Sequence, residues 1–447
     1  MSFPKYPEYK ESGLSSVGEI PSHWTPTRLK WVVEPKRPIT YGIVQAGPEI
    51  PEGIPYIRPA DMTDESGVAD FESMLRTSEE IALAYTRSSI HQGDLVCSIG
   101  PSFGKVMVTP PELEGANLTQ GTARVAISSV NSPRFFFWCL RSAIAYNQWE
   151  ASVGGATFRA LNLGPLAATD LPCPPEHEQS AIAAFLDRET AKIDALVTEQ
   201  EKLIELLKEK RQAVISHAVT KGLDTNVPMK DSGVEWLGEV PEHWDVMQLK
   251  HVIAPDTVIT YGIVQAGPHV DDGIPYIKTS DMSGEKLPSD GYARTSSEID
   301  KSYSRSKVRS GDIVVAIRAT VGKCLPVPPE LEGANLTQGT AKVSPGPLVD
   351  RIYLLHALNA SASQFYFDFM AKGATFREIT LDALRRTPIT LPPIEDQNQI
   401  ILFLDRELRC FDSLQEEAQR AIDLLKERRV ALISAAVAGK IDVREKI

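Results

Sequence analysis

Apolar positions along the chain follow two different periods. Short β-branched or apolar runs, interrupted by Gly and Pro, fill the stretch before residue 172 and the stretch from 223 to 390. Examples are ITYGIVQ, GIPYI, GDLVCSI and KVMVTPP. Such runs are typical of short strands bounded by turns. They predict α/β domains of the α+β class with mainly antiparallel, curved sheets, and a helix near residues 132–149.

Two other stretches carry a seven-residue apolar period, which is typical of long helices that pack on each other. The first predicts a helix from about 178 to 218, roughly 60 Å long at 1.5 Å per residue. Proline precedes each stretch, and Gly222 and Gly439 follow. The narrow apolar stripe favours an antiparallel coiled coil; the alternative is that each helix packs separately on its own domain. The predicted packing positions are Leu186, Ile193, Leu196, Leu203, Leu207, Val214, Leu404, Phe411, Leu414, Leu425 and Leu432.

The sequence repeats itself at an offset of 220 residues that later becomes 218. ITYGIVQAGP occurs unchanged at 39–48 and 259–268, and PPELEGANLTQGTA at 110–123 and 328–341. The helical stretches also repeat, as LLKEKRQAVISHAV and LLKERRVALISAAV. Repeats of this length indicate a duplicated domain pair with an approximate internal twofold, rather than a solenoid. The predicted parts are globular domains at 1–172 and 223–390, with a spacer helix after each at 173–222 and 391–447.

Composition and charge narrow the classes of function. The chain has 447 residues, 42% of them hydrophobic, and a formal net charge of -12. No apolar run approaches the roughly 20 residues that cross a bilayer, and the first residues lack the apolar centre of a secretory signal, so we expect a cytoplasmic protein. The five cysteines form no CxxC pair and indicate neither disulfides nor zinc. The acidic balance requires any nucleic-acid binding to rest on local basic patches.

Motifs for catalysis or metal binding are missing. GPSFGKV at 100–106 is one residue short of a P-loop, and LPCPPE and LPPIE lack the Asn and the aromatic residue of a methyltransferase loop. A nuclease-like Pro255-Asp256 becomes Pro35-Lys36 in the first copy. The histidines show no HExxH spacing, so those of the PxHW string are expected beside a packed Trp. The sequence therefore predicts no catalytic residue, no metal site and no cofactor bound by this chain.

Polar strings shared by both copies are the candidate recognition elements. ANLTQGTA and ITYGIVQ place Asn, Gln, Thr and Tyr beside Gly, and Asn or Gln can bind adenine bidentately. Between residues 301 and 323, six basic residues face the single acid Asp312, which suits phosphate contacts. The alternative is that these strings are polar turns that maintain the fold. The predicted DNA contacts are Thr40, Tyr41, Gln45, Arg58, Lys105, Asn117, Thr119, Gln120, Thr122, Thr157 and Arg159 in the first copy, and Thr260, Tyr261, Gln265, Lys278, Arg318, Lys323, Asn335, Thr337, Gln338, Thr340, Thr375 and Arg377 in the second.

The duplicated order of these strings resembles the specificity subunits of type I restriction-modification systems. It comprises a PxHW entry, a GDLV or GDIV strand leading to GK, GATFR, LPxP before a helix and the basic helix end LLKERRVALISAAVAGKID. The resemblance covers essentially the whole chain. It implies a non-catalytic chain with two target-recognition domains on double-stranded DNA, and helices that space them and dock two modification subunits. These partners would methylate adenine with S-adenosylmethionine, and possible restriction subunits would use ATP and Mg; no membrane is involved.

The near-identity of several candidate reading segments in the two copies predicts half-sites related as an interrupted inverted repeat, possibly imperfect, because twofold-related readers place the same side chains on opposite strands. Asymmetry should originate where the copies differ, at 100–103 against 318–321 and at 58–60 against 278–280. Alternatively, the shared strings are scaffold and the divergent loops read the DNA; these loops span residues 63–75 and 283–293.

Two competing functions belong to other classes. One is a non-enzymatic scaffold whose helices assemble partners without DNA recognition. The other is a self-sufficient methyltransferase or nuclease, against which the missing motifs argue. Salt-dependent affinity for duplex DNA separates the scaffold from the specificity subunit, because phosphate binding weakens steeply with salt.

Overall fold

The computed structural model describes residues 3–14, 16–63, 67–68, 70–153, 159–373 and 377–444. The chain forms two compact units. Unit 1 consists of residues 1–201 and 420–447, and unit 2 of residues 202–419. Each unit thus holds one globular copy of the repeat together with parts of both helical stretches. The predicted boundaries at 172, 222 and 390 divide the chain more finely and stay predictions.

Unit 1 is built from short strands and short helices. Its strands are β1 (Tyr9–Glu11), β2 (Glu19–Pro21), β3 (Thr25–Arg28), β4 (Thr40–Tyr41), β5 (Ile54–Ile57), β6 (Arg76–Thr77), β7 (Leu95–Ser98), β8 (Val106–Val108), β9 (Asn117–Leu118), β10 (Thr122–Val125) and β11 (Asp170–Cys173). Its short α-helices are α1 (Leu29–Val32), α2 (Glu79–Ala84), α3 (Pro133–Leu140), α4 (Ala143–Val153) and α5 (Leu163–Ala167), with 3₁₀ turns at Thr86–Ser88 and Pro111–Leu113.

Two sheets of unit 1 share an apolar core. The larger has the order β4-β10-β7-β8 with every neighbour antiparallel. The smaller has the order β6-β5-β9, in which β5 pairs antiparallel with β6 and parallel with β9. Ile57 and Leu118 of the smaller sheet are buried with Val96 and Met107 of the larger one. The close approach of the two sheets therefore brings the segments around β4, β5 and β9 together.

A second core of unit 1 lies around α3, whose residues Phe135 to Leu140 are all buried. The sequence predicts one helix over 132–149, and this prediction is wrong in one respect. The structure has two helices, α3 and α4, with the break at Arg141 and Ser142. The hydroxyl of Ser142 donates to the carbonyl of Cys139 at 2.7 Å, a local bond that competes with helix continuation.

Unit 2 repeats the strand pattern of unit 1 and, apart from α1, its short α-helices. Its strands are β12 (Met229–Asp231), β13 (Glu239–Pro241), β14 (Asp245–Gln248), β15 (Thr260–Tyr261), β16 (Ile274–Ile277), β17 (Arg294–Thr295), β18 (Ile313–Ala316), β19 (Cys324–Pro326), β20 (Asn335–Leu336), β21 (Thr340–Val343) and β22 (Pro388–Leu391). Its short helices are α7 (Ser297–Ser302), α8 (Arg351–Asn359), α9 (Ser361–Met370) and α10 (Leu381–Arg385), with 3₁₀ turns at Leu249–His251, Thr279–Met282, Ser304–Ser306 and Pro329–Leu331.

The strand order of unit 2 matches that of unit 1. The larger sheet is β15-β21-β18-β19, all antiparallel, and the smaller is β17-β16-β20 with one parallel pair. Ile277, Val314 and Leu336 form the core between them, as their counterparts do in unit 1. The predicted duplicated fold with mainly antiparallel sheets is thereby confirmed.

Two long helices complete the chain. Helix α6 (Glu176–Lys221) has 46 residues and α11 (Ile394–Val437) has 44, which correspond to about 69 and 66 Å at 1.5 Å per residue. Both end at the predicted glycines, since Gly222 and Gly439 have φ values of 78° and 68°. The amide of Lys440 closes the end of α11 by donating to the carbonyl of Ala435 at 2.9 Å.

Within each unit, the parts of α6 and α11 run antiparallel, as predicted. In unit 1, Glu178 near the start of α6 lies 3.8 Å from Arg444, beyond the end of α11, and Asp194 pairs with Arg429. In unit 2, Arg211 pairs with Asp412. Among the predicted packing residues, five are buried and three half-buried. The buried ones are Leu186, Ile193, Leu404, Phe411 and Leu432, and the half-buried ones are Leu207, Val214 and Leu425.

Three predicted packing positions, Leu196, Leu203 and Leu414, are wrong, because their side chains are between 41% and 46% exposed. The α-helix advances about 100° per residue, so Leu196 and Val197 flank the line through Ile193 on its two sides. After Ile193 the buried face of the helix continues through Val197, which packs against the core of unit 1, and Leu196 is turned towards solvent. A seven-residue spacing alone does not determine which of these two sides is buried.

Candidate nucleic-acid interface

The two shared polar strings pair with each other in unit 1. The amide of Gly42 donates to the carbonyl of Thr119 at 3.0 Å, and that of Ile43 to the carbonyl of Leu118 at 2.6 Å. The amide of Gln120 then returns to the carbonyl of Ile43 at 3.0 Å. The same three bonds join residues 262–263 to 336–338 in unit 2, at 3.0, 2.7 and 3.0 Å. The repeated strings thus form one local structure, made twice.

Glycine is required where these strings cross. A Cβ on Gly42 would lie 1.9 Å from the carbonyl oxygen of Leu118, and one on Gly262 would lie 2.0 Å from that of Leu336. No side chain fits such a gap, because both contacts are with backbone atoms. The unchanged TYG triplet therefore reflects the close backbone approach of two segments.

Asn117, Thr122, Asn335 and Thr340 were predicted to contact bases, but their side chains are buried within the units. The side-chain oxygen of Asn117 accepts from Ser88 Oγ at 2.6 Å and from the amide of Leu118 at 2.8 Å. Thr122 Oγ1 donates to the carbonyl of Ile57 at 3.0 Å. In unit 2, Asn335 and Thr340 make the equivalent bonds. Because buried polar groups must be paired, these side chains stabilise the paired polar strings from inside each unit.

Four threonines of the same strings are half-buried and bonded to backbone. Thr119 donates to the carbonyl of Ile57 at the end of β5 at 3.3 Å, and Thr337 donates to that of Ile277 at the end of β16 at 3.4 Å. Thr40 and Thr260 donate to the carbonyls of the adjacent tyrosines at 3.1 and 3.2 Å. Their hydroxyls are therefore already engaged inside each unit.

In the two shared polar strings, the side chains that reach solvent are those of the tyrosines and glutamines. Tyr41 and Tyr261 are 37% and 43% exposed, and Gln45 and Gln265 are exposed as well. Gln120 is exposed and Gln338 is half-buried. These six side chains combine a flat apolar ring with hydrogen-bonding groups, which is the chemistry that can read base edges.

A cleft in unit 1 collects the two shared strings and the segments that face them. Its lining consists of Tyr41, Arg58, Pro59, Ile99, Gly100, Pro101, Thr119, Gln120, Gly121, Ala160, Leu161, Asn162 and Leu163. We call it the unit 1 cleft. Unit 2 has an equivalent, the unit 2 cleft, lined by Ile263, Val264, Ala266, Tyr276, Lys278, Thr279, Ser280, Arg318, Thr337, Gln338 and Gly339. The two clefts share the threonine, glutamine and glycine of the LTQG string.

Arg58 stands at the wall of the unit 1 cleft and is held by Asp61. Its Nε and Nη2 donate to the two carboxylate oxygens of Asp61 at 2.9 and 2.6 Å, and this hydrogen bonding raises the pKa of the guanidinium. In unit 2 the equivalent residue is Lys278, whose backbone amide donates to Asp281 at 2.8 Å. A charge-assisted pair fixes the orientation of the arginine, while a lysine is a more mobile point charge.

Lys105 and Lys323 tie loops to the sheets. Lys105 Nζ donates to the carbonyl of Met62 at 2.8 Å, and Lys323 Nζ donates to that of Ser283 at 3.0 Å. Both ammonium groups therefore sit at the base of the divergent loops, which begin at these carbonyls. They place positive charge where each loop begins.

Arg159 and Arg377 of the GATFR string are exposed and paired with acids. Arg159 pairs with Glu150, and Arg377 Nη2 lies 2.9 Å from Asp368 Oδ1. The guanidinium of Arg159 also lies over the ring of Phe103, at 5.9 Å from its centroid. The predicted contacts Thr157 and Thr375 lie outside the described residues.

The basic cluster between 301 and 323 is partly neutralised by neighbouring acids. Lys307 Nζ lies 2.6 Å from Asp300 Oδ2, and Arg309 Nη1 lies 3.6 Å from Asp256 Oδ2. Asp300 is buried just before the cluster, and Asp256 lies far from it in sequence. The local positive charge is therefore smaller than the count over this segment predicts.

The PxHW strings anchor the first turns of the long helices, a role that the sequence interpretation missed. His23 Nε2 lies 2.7 Å from Glu178 Oε1, and Trp24 Nε1 donates to Glu178 Oε2 at 3.0 Å. In unit 2, His243 and Trp244 contact Asp396 in the same way, at 2.8 and 3.1 Å. The available signal was an acidic residue at the same distance after each Pro-Pro pair.

The described part of the chain holds neither a cluster of metal ligands nor a membrane-spanning helix. No group of three His, Cys, Asp or Glu side chains there is suited to hold a metal ion. No helix in those ranges is both long and apolar enough to cross a membrane.

Comparison with known proteins gives a consistent result. The family described as type I restriction modification DNA specificity domain matches residues 22–206 and 241–422. The type I restriction enzyme EcoBI specificity subunit of Escherichia coli is 27% identical over 334 residues, which cover 73% of this chain and 70% of that protein.

Solved structures with this fold come from the same class of protein. A chain of a type I R-M system, from a structure addressing complex assembly and conformational transition, has a TM-score of 0.68 at 20% identity. The HsdS subunit from Thermoanaerobacter tengcongensis has a TM-score of 0.52 at 18% identity. Each match covers 94% of this chain and 98% of the other. The family match spans both repeats, and the chain belongs to the type I restriction-modification DNA specificity family, the non-catalytic class that its sequence predicts.

Proposed function

We propose that each unit reads one half of a bipartite DNA site through its cleft. The observation that carries this proposal is that one chain presents two equivalent clefts, built from the same two strings. In unit 1 these strings expose Tyr41, Gln45 and Gln120, and in unit 2 Tyr261 and Gln265. Amide groups pair with base edges in the major groove, and the basic residues around each cleft contact phosphates and set the register.

The long helices set the distance between the half-sites. On this proposal, residues 1–172 and 223–390 are the target-recognition domains, and residues 173–222 and 391–447 are the spacers. A helix of about 69 Å exceeds the 34 to 36 Å rise of one DNA turn. Inserting residues into the helices should therefore change the spacer of the recognised site and leave the half-site sequences unchanged.

The catalytic activities belong to partner subunits that bind this chain. Two modification subunits dock on the helices and methylate adenine with S-adenosylmethionine, and restriction subunits with ATP and Mg complete the complex. Flipping the target base out of the duplex belongs to the modification subunit, which must reach the adenine amino group. The specificity chain contributes sequence choice and register.

The two half-sites form an interrupted inverted repeat. The side chains that the clefts share, such as the threonine and glutamine of LTQG, would meet the same bases on opposite strands. Departures from symmetry are expected only where the cleft linings differ.

Mapping methylated adenines in a host that carries the complete system tests this function. The expected result is one motif with two half-sites, separated by a spacer of fixed length and largely related by inversion. Two unrelated half-sites would reject the inverted repeat but keep the bipartite reading. Affinity of the purified complex for the mapped duplex should fall steeply with salt. Affinity that ignores both salt and sequence would instead favour the scaffold function.

A further inference from the structure

One ion pair is present at the unit 2 cleft and has no counterpart in unit 1. Arg318 Nη2 lies 3.0 Å from Glu378 Oε1. The residues 218 positions earlier are Gly100 and Ala160, and both line the unit 1 cleft. The duplication therefore retains the cleft but replaces a charged pair by two of the smallest residues.

The backbone that carries Arg318 also differs between the copies. Ala319 has a φ of 61°, and its amide donates to the carbonyl of Arg377 at 3.1 Å. The equivalent residue of unit 1 is Pro101, which has no amide hydrogen and a φ fixed near −65°. A non-glycine residue at positive φ is costly and persists only where its surroundings hold it. The turn that follows Arg318 is thus a feature of unit 2.

The ion pair is poorly placed to stabilise the fold. Arg318 and Glu378 are 41% and 43% exposed, and ion pairs this open to water contribute little to stability. Within the described residues, Arg318 Nε has no hydrogen-bond partner although it is shielded from solvent. The contact with Glu378 runs through Nη2, and a guanidinium carries five N–H donors, so the arginine can donate to a further acceptor as well.

The basic residue at the neighbouring wall of the cleft also differs between the two units. In unit 1 the guanidinium at the cleft belongs to Arg58, and Asp61 accepts from both its Nε and its Nη2. In unit 2 that position is Lys278, and the guanidinium lies on the other segment, at Arg318. A Cβ on Gly339, at the bottom of the unit 2 cleft, would lie 2.5 Å from Thr279 Oγ1 and 3.8 Å from Arg318 Cβ. Arg318 therefore lies close above the LTQG string that the two clefts share.

We propose that Arg318 is a specificity-determining residue that reads a guanine in the half-site of unit 2, and that the half-site of unit 1 has no such requirement at the equivalent position. This inference rests on the proposed function of the clefts. Arginine donates two parallel hydrogen bonds to O6 and N7 of guanine, the pattern that the fixed fork of the guanidinium fits. Glu378 is a positioning residue, whose carboxylate keeps the guanidinium group near the cleft. The inverted repeat is consequently broken at this base pair.

The test transplants the unit 1 residues into unit 2. The double variant Arg318→Gly with Glu378→Ala is assembled with its modification subunits, and the methylated motif is mapped beside that of the wild-type complex. The expected result is that one guanine-specific position of one half-site becomes degenerate, while every other position is unchanged. In binding assays, changing that guanine should weaken the wild-type complex about 10-fold and the double variant hardly at all. The half-site of unit 1 is the internal control for folding and assembly.

A phosphate contact at Arg318 predicts a different result. The double variant would then bind all sequences more weakly and to the same degree, and the slope of log affinity against log salt concentration would be smaller by about one. Either result would overturn the inference. An unchanged motif would also overturn it. A wild-type complex without any bipartite motif would instead reject the proposed function itself. If the double variant fails to assemble, Glu378→Gln replaces it, with partial loss of guanine preference expected and unaltered preference refuting the role.

Discussion

Arg429 Nε lies 2.8 Å from Asp194 Oδ1, so that α11 is fastened to α6 within unit 1. The counterpart in unit 2 is the pair of Arg211 and Asp412. Each member of the second pair is a repeat equivalent of a member of the first, at the offset of 218 residues. The duplicated sequence therefore makes the same ion pair twice, with the arginine and the aspartate exchanged between the helices. The antiparallel packing of α6 and α11 within each unit accounts for this exchange.

The pair of Asp194 and Arg429 should have a measurable coupling energy. Arg429 is only 16% exposed and Asp194 is half-exposed, which places the pair between surface and buried cases. We expect a double-mutant cycle with Asp194→Ala and Arg429→Ala to give about 1 kcal/mol, measured from urea unfolding of the complete chain. The surface pair of Arg409 and Asp405 on α11 is the control, with about 0.3 to 0.5 kcal/mol expected. Equal coupling in both cycles would contradict a packing role for Arg429.

Asn335→Ala should destabilise unit 2 without changing the sequence that is recognised. Asn335 is buried, accepts from Ser306 Oγ at 2.6 Å and donates to Asp300 Oδ1 at 2.9 Å. Removing its amide takes a hydrogen-bond partner from Ser306, Asp300 and the amide of Leu336 in a buried site, which costs about 1 to 3 kcal/mol. Unfolding in urea measures the loss, and the methylated motif at low temperature measures specificity. An altered motif in a stable variant would restore Asn335 as a base contact.

Sequence patterns predicted the architecture better than the roles of single side chains. The repeat offset predicted two copies of every sheet, and Gly222 and Gly439 marked the helix ends. The sequence predicts both Asn117 and Gln120 as DNA contacts, although Asn117 is buried and Gln120 is exposed. Both belong to one polar string, and the face that each presents depends on the pairing of that string with residues 42–43. Such long-range pairing leaves no trace in local composition.

Gly262→Ala should prevent the TYG segment from pairing with the LTQG string. The new Cβ would lie 2.0 Å from the carbonyl oxygen of Leu336, and relief requires backbone movement. We expect a loss of stability of about 3 kcal/mol or more and disruption of the unit 2 cleft. Thermal unfolding measures the effect. Gly284→Ala is the control in the same unit, since the nearest atom to its Cβ would be 3.4 Å away.

Tyr261→Ala should weaken recognition of one half-site and leave stability nearly unchanged. The ring of Tyr261 is 43% exposed beside the unit 2 cleft, so little packing is lost. We expect DNA affinity to fall roughly 10-fold when the half-site of unit 2 is intact, with little further loss when it is scrambled. Tyr41→Ala is the matched variant and should show the same pattern for the other half-site. Identical responses of both variants to each scrambled half-site would argue against separate readers.

His356 should make unit 2 less stable in mild acid. Burial lowers the pKa of His356 to about 4, and the charge of Arg211 acts in the same direction. The ordinary pKa is about 6.5, so between pH 6.5 and about 4 the unfolded chain takes up a proton that the folded unit does not. The contribution of the neutral imidazole is complete above pH 6.5 and is lost as the pH falls through this window. At pH 5 the loss is on the order of 2 kcal/mol relative to pH 7.

Urea unfolding of wild type and His356→Gln at pH 7 and pH 5 isolates this effect from that of the carboxylates. Glutamine stays neutral at both values, so the variant should lose less stability between them than the wild type does, whatever it loses at pH 7 from altered packing. His217→Gln is the comparison, because it makes the same change of residue at an exposed position of α6 in the same unit. Parallel pH curves for wild type and His356→Gln would mean that the imidazole is protonated in the folded unit, and that its burial is relieved by water or by a nearby acid.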